Sequence, residues 1–161
     1  MKGRIYQINI KPFKEGERGI PKWPVSSAFF SYGGLDGDYN RYRIEKLGGD
    51  LDQAVLLMTS DKISELVNGG WPVSEGDLGE NVNVEGIDYD LFEIQGRYLL
   101  GKNVVIEITK PCEPCKNLRQ LFYVGAEHKR EFVRTLVGRR GLYAKVLEEG
   151  EVKLGDEIRK L

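Results

Sequence analysis

No stretch of apolar residues in this 161-residue sequence approaches the ~18–20 needed to span a bilayer. Met1-Lys2-Gly3-Arg4 leads into no apolar h-region and no cleavage site. A secretory signal is therefore not read, and the expected setting is the cytoplasm, away from membranes. Cysteine is scarce: Cys112 and Cys115 are the only two, and His128 is the only histidine. That excludes a disulfide framework and leaves the thiols as metal-binding, redox or catalytic candidates. Charge of one sign is also lacking, with 24 Lys and Arg against 25 Asp and Glu. The balance advertises neither a nucleic-acid surface nor an acidic tail for a cationic partner. The dinucleotide fingerprint, the P-loop and any spaced Ser-His-Asp set are missing, as are repeats and linkers.

Glycine is abundant, at 20 residues, with six prolines. Together they predict many turns and short strands rather than long helices. Apolar content of 40% with 30% charged residues places the chain among globular proteins, and its length fits one domain over residues 1–161. Arg4–Ile10 alternates as a half-buried strand stopped by Pro12, and Val25–Tyr32 reads as a second. Ala54–Met58 is a buried strand. Ser60-Asp61 then offers an N-cap for a short helix ending at Gly69-Gly70. Further strands are expected over Asn81–Val84, Tyr98–Leu100, Val104–Thr109, Gly141–Glu148, Val152–Leu154 and Glu157–Arg159, with a helix over Glu127–Val137. Short strands with brief helices predict a mainly β fold, a closed or partly closed β-barrel.

The cysteines occupy the run Pro111-Cys112-Glu113-Pro114-Cys115, directly after a strand. Pro114 stiffens the loop, so it can hold a sulfur at a defined point, and Lys110, Lys116 and Arg119 favour the thiolate. Four readings are open. A structural zinc site needs about four ligands, and this chain offers one pair and one histidine. A thioredoxin-type pair needs a βαβ setting that the pattern does not give. The others are a pair of ordinary loop cysteines, and a single sulfur on a soft or high-valent metal. Gly76-Asp77-Leu78-Gly79-Glu80-Asn81 reads as a tight turn before an anion nest. Arg139-Arg140 beside Gly141 could grip a phosphate, although surface charge is the commoner use of such a pair. His128 reads as solvated.

Several blocks, in order and correctly spaced, resemble the MOSC domain, named for the C-terminal domain of molybdenum-cofactor sulfurases. They are Gly34-Leu35-x-Gly37-Asp38 with Arg41 behind it, then Gly48-Gly49 before Ala54-Val55, Gly76 to Asn81, and Glu85-Gly86-Ile87-Asp88. Leu100-Gly101, Pro114-Cys115 and Gly141-x-Tyr143-Ala144-x-Val146-Leu147 to Gly155-Asp156 follow. The resemblance implies a β-barrel of the MOSC, pyruvate-kinase-barrel-like kind with a few short helices. It also implies an association with the molybdenum cofactor (molybdopterin). The family cysteine lies six residues beyond the Thr ending its strand, which from Thr109 is Cys115. The resemblance thus assigns the metal or a persulfide to Cys115, with Cys112 as an accessory or resolving thiol. Asn81, beside Glu80, matches the asparagine of the family's pterin pocket. Arg41, Arg139 and Arg140 are candidates for the cofactor phosphate. Leu47 stands where many relatives carry histidine before Gly-Gly.

Three functions follow from the resemblance. One is a molybdenum-dependent reductase of N-hydroxylated compounds, fed by an external electron-transfer protein. Another is a sulfur carrier with a Cys115 persulfide, acting between a sulfur-donor protein and an acceptor in metal–sulfur or molybdenum-cofactor maturation. The third is a pterin-binding module with no chemistry of its own.

Overall fold

The computed structural model describes residues 1–39 and 41–161, with the backbone alone at Arg41 and Tyr42. The isoleucines of β1 (Lys2–Ile10) set the frame. Ile5 and Ile8 are three residues apart, yet both are fully buried in the same core. A bulge between Ile5 and Gln7, opposite β6 (Val82–Glu85), absorbs the extra residue and returns the second isoleucine to the inner face.

Seven strands close a barrel. Around the ring from β1 come β11 (Glu157–Lys160), β7 (Arg97–Leu100), β8 (Val104–Pro111), β9 (Leu142–Glu148), β5 (Val55–Thr59) and β6, which returns to β1. Every neighbour pair is antiparallel except β5–β6. That parallel pair needs a crossover, supplied by α2 (Ser60–Asn68) and the loop after it. The interior is filled by Ile5, Ile8, Leu57, Val82, Tyr98, Ile106, Ile108, Ala144 and Ile158, as expected for so narrow a barrel.

The expected strand over Val25–Tyr32 is two. β2 (Trp23–Val25) extends the barrel sheet beside β1, an edge position that tolerates Pro24. The chain breaks at Ser26, and β3 (Ser27–Ser31) pairs instead with β4 (Gly34–Leu35) and β10 (Gly150–Lys153) in a separate three-stranded sheet. α2 starts at Ser60 with Thr59 as an N-cap whose side chain makes no capping bond, so Ser60-Asp61 is the first turn rather than the cap. α3 is Lys129–Leu136, shorter at both ends than the pattern predicts. Phe132 and Leu136 are buried, whereas Val137 is exposed. A further helix, α1 (Arg41–Lys46), has no clear sequence signal.

A second apolar cluster lies on the outer face of β5. Met58 points away from the barrel interior and packs with Ile63 and Leu66 of α2, Leu118, Leu121, Val124, and Phe132 and Leu136 of α3. This cluster fixes the segment that follows the cysteines. Among the described residues no helix is long and apolar enough to cross a membrane.

Candidate functional site

The cysteine loop is held at both ends. On its N-terminal side β8 pairs with β9 through a register irregularity between Ile108 and Lys110. The Thr109 hydroxyl sits in it, 2.6 Å from the Asp52 carbonyl and 3.1 Å from the Tyr143 carbonyl. Such bulges re-aim a strand end beside functional sites. The Gly141 carbonyl then accepts two bonds, from the Cys112 N–H at 2.8 Å and the Tyr89 hydroxyl at 2.9 Å. Gly141 has φ +111°, and a Cβ there would lie 2.9 Å from the Leu57 carbonyl oxygen, so only glycine brings this carbonyl to the loop. On the C-terminal side Leu118, within the 3-10 turn Lys116–Gln120, is fully buried in the outer cluster. Between these anchors Cys112 is buried and Cys115 is exposed, both as free thiols.

Arg140 is the most unusual group nearby. It is 6% exposed, and its Nε and Nη1 have no hydrogen-bond partner. A buried guanidinium without partners is costly, and such groups are normally paired. Its charge acts on three neighbours. Burial pushes the Cys112 thiol up, and Arg140 and then the Tyr143 hydroxyl pull it back. Burial also raises Tyr143, chiefly with the help of the Cys112 charge, while Arg140 opposes. Glu80, fully buried, is raised by burial, with bonds from Asn83 and the Gly76 N–H and the Arg140 charge acting the other way. Cys112, Tyr143, Arg140 and Glu80 therefore form one electrostatic neighbourhood, with Cys115 near enough to raise both Cys112 and Tyr143.

Glu80 and Asn81 also belong to a buried polar network. Glu80 Oε1 accepts from the Gly76 N–H at 2.7 Å and Asn83 Nδ2 at 2.9 Å, whereas Oε2 has no partner. The glycine turn is thus filled by the chain's own carboxylate, in keeping with a tight turn rather than an open nest. Asn81 is fully engaged: Oδ1 accepts from the Leu56 N–H at 3.1 Å, and Nδ2 donates to the Asn9 carbonyl at 3.2 Å and to Asp38 at 2.9 Å. Its amide ties β1, β5 and the Asp38 turn together. Asp38 in turn pairs with buried Lys22 at 2.6 Å.

Glu80 supplies a pH prediction. Its native pKa lies above the ordinary value of 4.5, so the folded chain holds this proton more tightly than the unfolded one. The stabilisation from that proton is complete below 4.5 and is lost as pH rises through the native value. Glu80→Gln keeps the Oε1 acceptor and removes the titration. Melting both proteins from pH 4.5 upward should show wild type losing stability relative to the variant; parallel curves would contradict the shift.

The two arginines after α3 part company: Arg139 is half-buried and pairs with Glu65 of α2 at 3.6 Å, whereas Arg140 turns inward. The side chain of Arg41 lies outside the described residues. Two residues escaped the sequence reading of the site. Arg43, on α1, is buried, donates to the Gly33 carbonyl at 2.6 Å, and lies within electrostatic reach of Tyr143 and Asp38. At Gly34, φ +121°, a Cβ would fall 2.8 Å from the Ala54 carbonyl oxygen and 3.2 Å from Arg43 Nη2, so glycine is required first by this close backbone approach beside the arginine. Tyr143 stood in a recognised block, but no sequence signal marked its hydroxyl. Around the loop, residues 110–140 carry eight basic and three acidic side chains in a chain that is otherwise acidic. Lys116, Arg119, Arg130 and Arg134 are exposed.

Residues 44–159 match the MOSC domain family, and the chain belongs to that family. Its structure is similar to that of the YuaD protein from Bacillus subtilis, with a TM-score of 0.79 and 21% identity over 98% of this chain and 94% of that one. It is also similar to YiiM from Geobacillus stearothermophilus, with a TM-score of 0.72 and 22% identity over 99% of this chain and 75% of that one. For YiiM from Escherichia coli the TM-score is 0.67, with 16% identity over 98% of this chain and 69% of that one. At these identities the likeness speaks to the fold. No protein of curated function matches the sequence.

Proposed function

We propose that this MOSC protein binds the molybdenum cofactor beside the Cys112–Cys115 loop and serves reductive chemistry on N-hydroxylated compounds. The observation that carries the reading is Arg140, a buried guanidinium with two unpartnered nitrogens next to a thiol loop. Its planar fork suits a phosphate, which molybdopterin carries. The donor set fits the rest of the group. Among the described residues no cluster of three or more His, Cys, Asp or Glu could hold a metal, so a metal here must bring most of its own ligands. A soft pterin-dithiolene centre does so and needs one protein thiolate. Exposed Cys115 is free to provide it.

When bound, the cofactor supplies the redox change. The chain's part is to hold and orient. Cys115 offers the metal a sulfur ligand, Arg140 binds the phosphate, and Arg43 adds a second positive charge toward Tyr143. The Tyr143 hydroxyl, held protonated by burial, is available as a donor at neutral pH. Electrons come from a separate protein, and the basic surface of residues 110–140 favours one with an acidic face.

Arg140→Met tests the reading. Replacing an unpaired buried charge with an apolar side chain of similar volume is neutral or stabilising for the fold. The variant should therefore melt no lower than wild type, yet retain at least about tenfold less pterin, the loss of a charge-assisted phosphate contact. Equal pterin in both proteins would remove Arg140 from the site.

A second reading has its own support. Cys115 is exposed and has a second thiol three positions before it. An exposed sulfur with a nearby partner also suits a carrier that takes a persulfide from a donor protein and passes it on.

A further inference from the structure

We infer that Cys112 is a resolving thiol that discharges sulfur held on Cys115, releasing it as hydrosulfide and leaving a Cys112–Cys115 disulfide. The inference rests on the carrier reading of Cys115. Three features of the loop support it.

First, Cys112 follows β8 directly, its N–H held by the Gly141 carbonyl at 2.8 Å, which fixes where the loop begins. Its Sγ lies 3.7 Å from the carbonyl of the next residue, Glu113, inside the run that ends at Cys115. It does not belong to the apolar cluster of the barrel interior or to the one outside β5. C-x-x-C pairs of this spacing close disulfides in redox loops.

Second, the buried side of the loop brings an unpartnered positive charge near the Cys112 sulfur. Arg140 presents two nitrogens without partners, and the Tyr143 hydroxyl lies in the same neighbourhood. Burial holds the Cys112 thiol above its ordinary pKa, and Arg140 and then Tyr143 oppose that shift, easing loss of the proton as Cys112 attacks.

Third, the pair is asymmetric. Cys115 is exposed and can be loaded by another protein, while Cys112 is 4% exposed and shielded from that protein. Loading and discharge are thereby divided between the two sulfurs.

The step balances without an oxidant. Cys112 attacks Cys115 Sγ of the Cys115–S–SH group. The Sγ–S bond breaks, the Cys112–Cys115 bond forms, and the outer sulfur departs as HS⁻ with the bonding electron pair. The terminal sulfur is reduced and the two cysteine sulfurs are oxidised. The proton given up by Cys112 goes to solvent or to the departing hydrosulfide. A dithiol reductant then resets the pair by exchange.

The test uses the full chain with a cysteine desulfurase and L-cysteine as the persulfide source, followed by removal of small thiols. Hydrosulfide is then assayed and intact mass measured. Wild type should lose two hydrogens, show blocked thiols and release one hydrosulfide per chain. Cys112→Ala, with Cys112→Ser as a second variant should the first fold poorly, should keep one extra sulfur on Cys115 and release none. Arg140→Met should slow release by about tenfold, the scale of one charge-assisted contact. Wild type that keeps its extra sulfur as stably as Cys112→Ala overturns the resolving role while leaving the carrier reading intact. A Cys112→Ala protein that takes up no sulfur overturns the carrier reading, and the resolving role with it.

Discussion

Cys115→Ser, purified from a host that makes the molybdenum cofactor, is expected to lose molybdenum to background while wild type holds it in stoichiometric amount. The serine hydroxyl is a hard, weakly acidic ligand and does not replace a thiolate on a soft centre. The fold should not notice. Cys115 is exposed and outside both apolar clusters, and its neighbours are anchored by Gly141 and Leu118 rather than by its own side chain. A surface change of this kind shifts stability by about 0.5 kcal/mol at most, or roughly 2 °C in Tm. Cys112→Ser should keep its metal, because the buried sulfur faces Arg140 and Tyr143. Metal analysis alongside thermal melts checks both. Full metal in Cys115→Ser with loss in Cys112→Ser would reverse the assignment.

The largest expected effect on stability lies elsewhere, at Asp38→Ala. Lys22 and Asp38 form a buried pair with side chains 4% and 6% exposed, their charged atoms 2.6 Å apart. Asp38 also accepts from Asn81 Nδ2 and, through Oδ1, from the Lys11 N–H. Removing it strands a buried ammonium, which costs about 3–5 kcal/mol, and for a chain of this size lowers Tm by roughly 10 °C or more. Burial already pushes the Lys22 pKa down, with Asp38 as the largest opposing influence. The loss should therefore shrink as pH rises and Lys22 sheds its proton. Combining Asp38→Leu with Lys22→Met should recover most of the stability. An Asp38→Ala protein melting within about 2 °C of wild type would show that the pair contributes little.

These two predictions separate what was legible in the sequence from what was not. Alternation and turn residues located most of the strands, because inward and outward positions differ in polarity along each one. The place of the cysteine loop was also legible, since the apolar run over Val104–Thr109 ends just before it, and the loop does follow β8 directly. The Asn9, Lys22, Asp38 and Asn81 network was not. Its members are spread from residue 9 to residue 81 and meet only when the barrel closes, so no local pattern announces them. Asn81 shows the consequence. Its motif pointed to a pterin pocket, but its amide is spent on Leu56, Asn9 and Asp38, so whatever it does for a ligand it does by holding those elements. Arg43 went unread because α1 has no recognisable start signal. The break at Ser26 went unread because it is set by which strands lie alongside, β1 on one side and β10 on the other.

The arrangement also ties specificity of place to the fold. Gly141 brings one carbonyl to both Cys112 and Tyr89, and Gly34 lets the backbone approach the Ala54 carbonyl beside Arg43. Both glycines therefore shape the candidate site, although neither has a side chain to offer it.

The most direct test is metal analysis with pterin fluorescence on wild-type protein from a cofactor-producing host. Stoichiometric molybdenum together with pterin is the result this account predicts. Protein carrying neither, from a host shown to load another molybdenum enzyme in the same preparation, would contradict it.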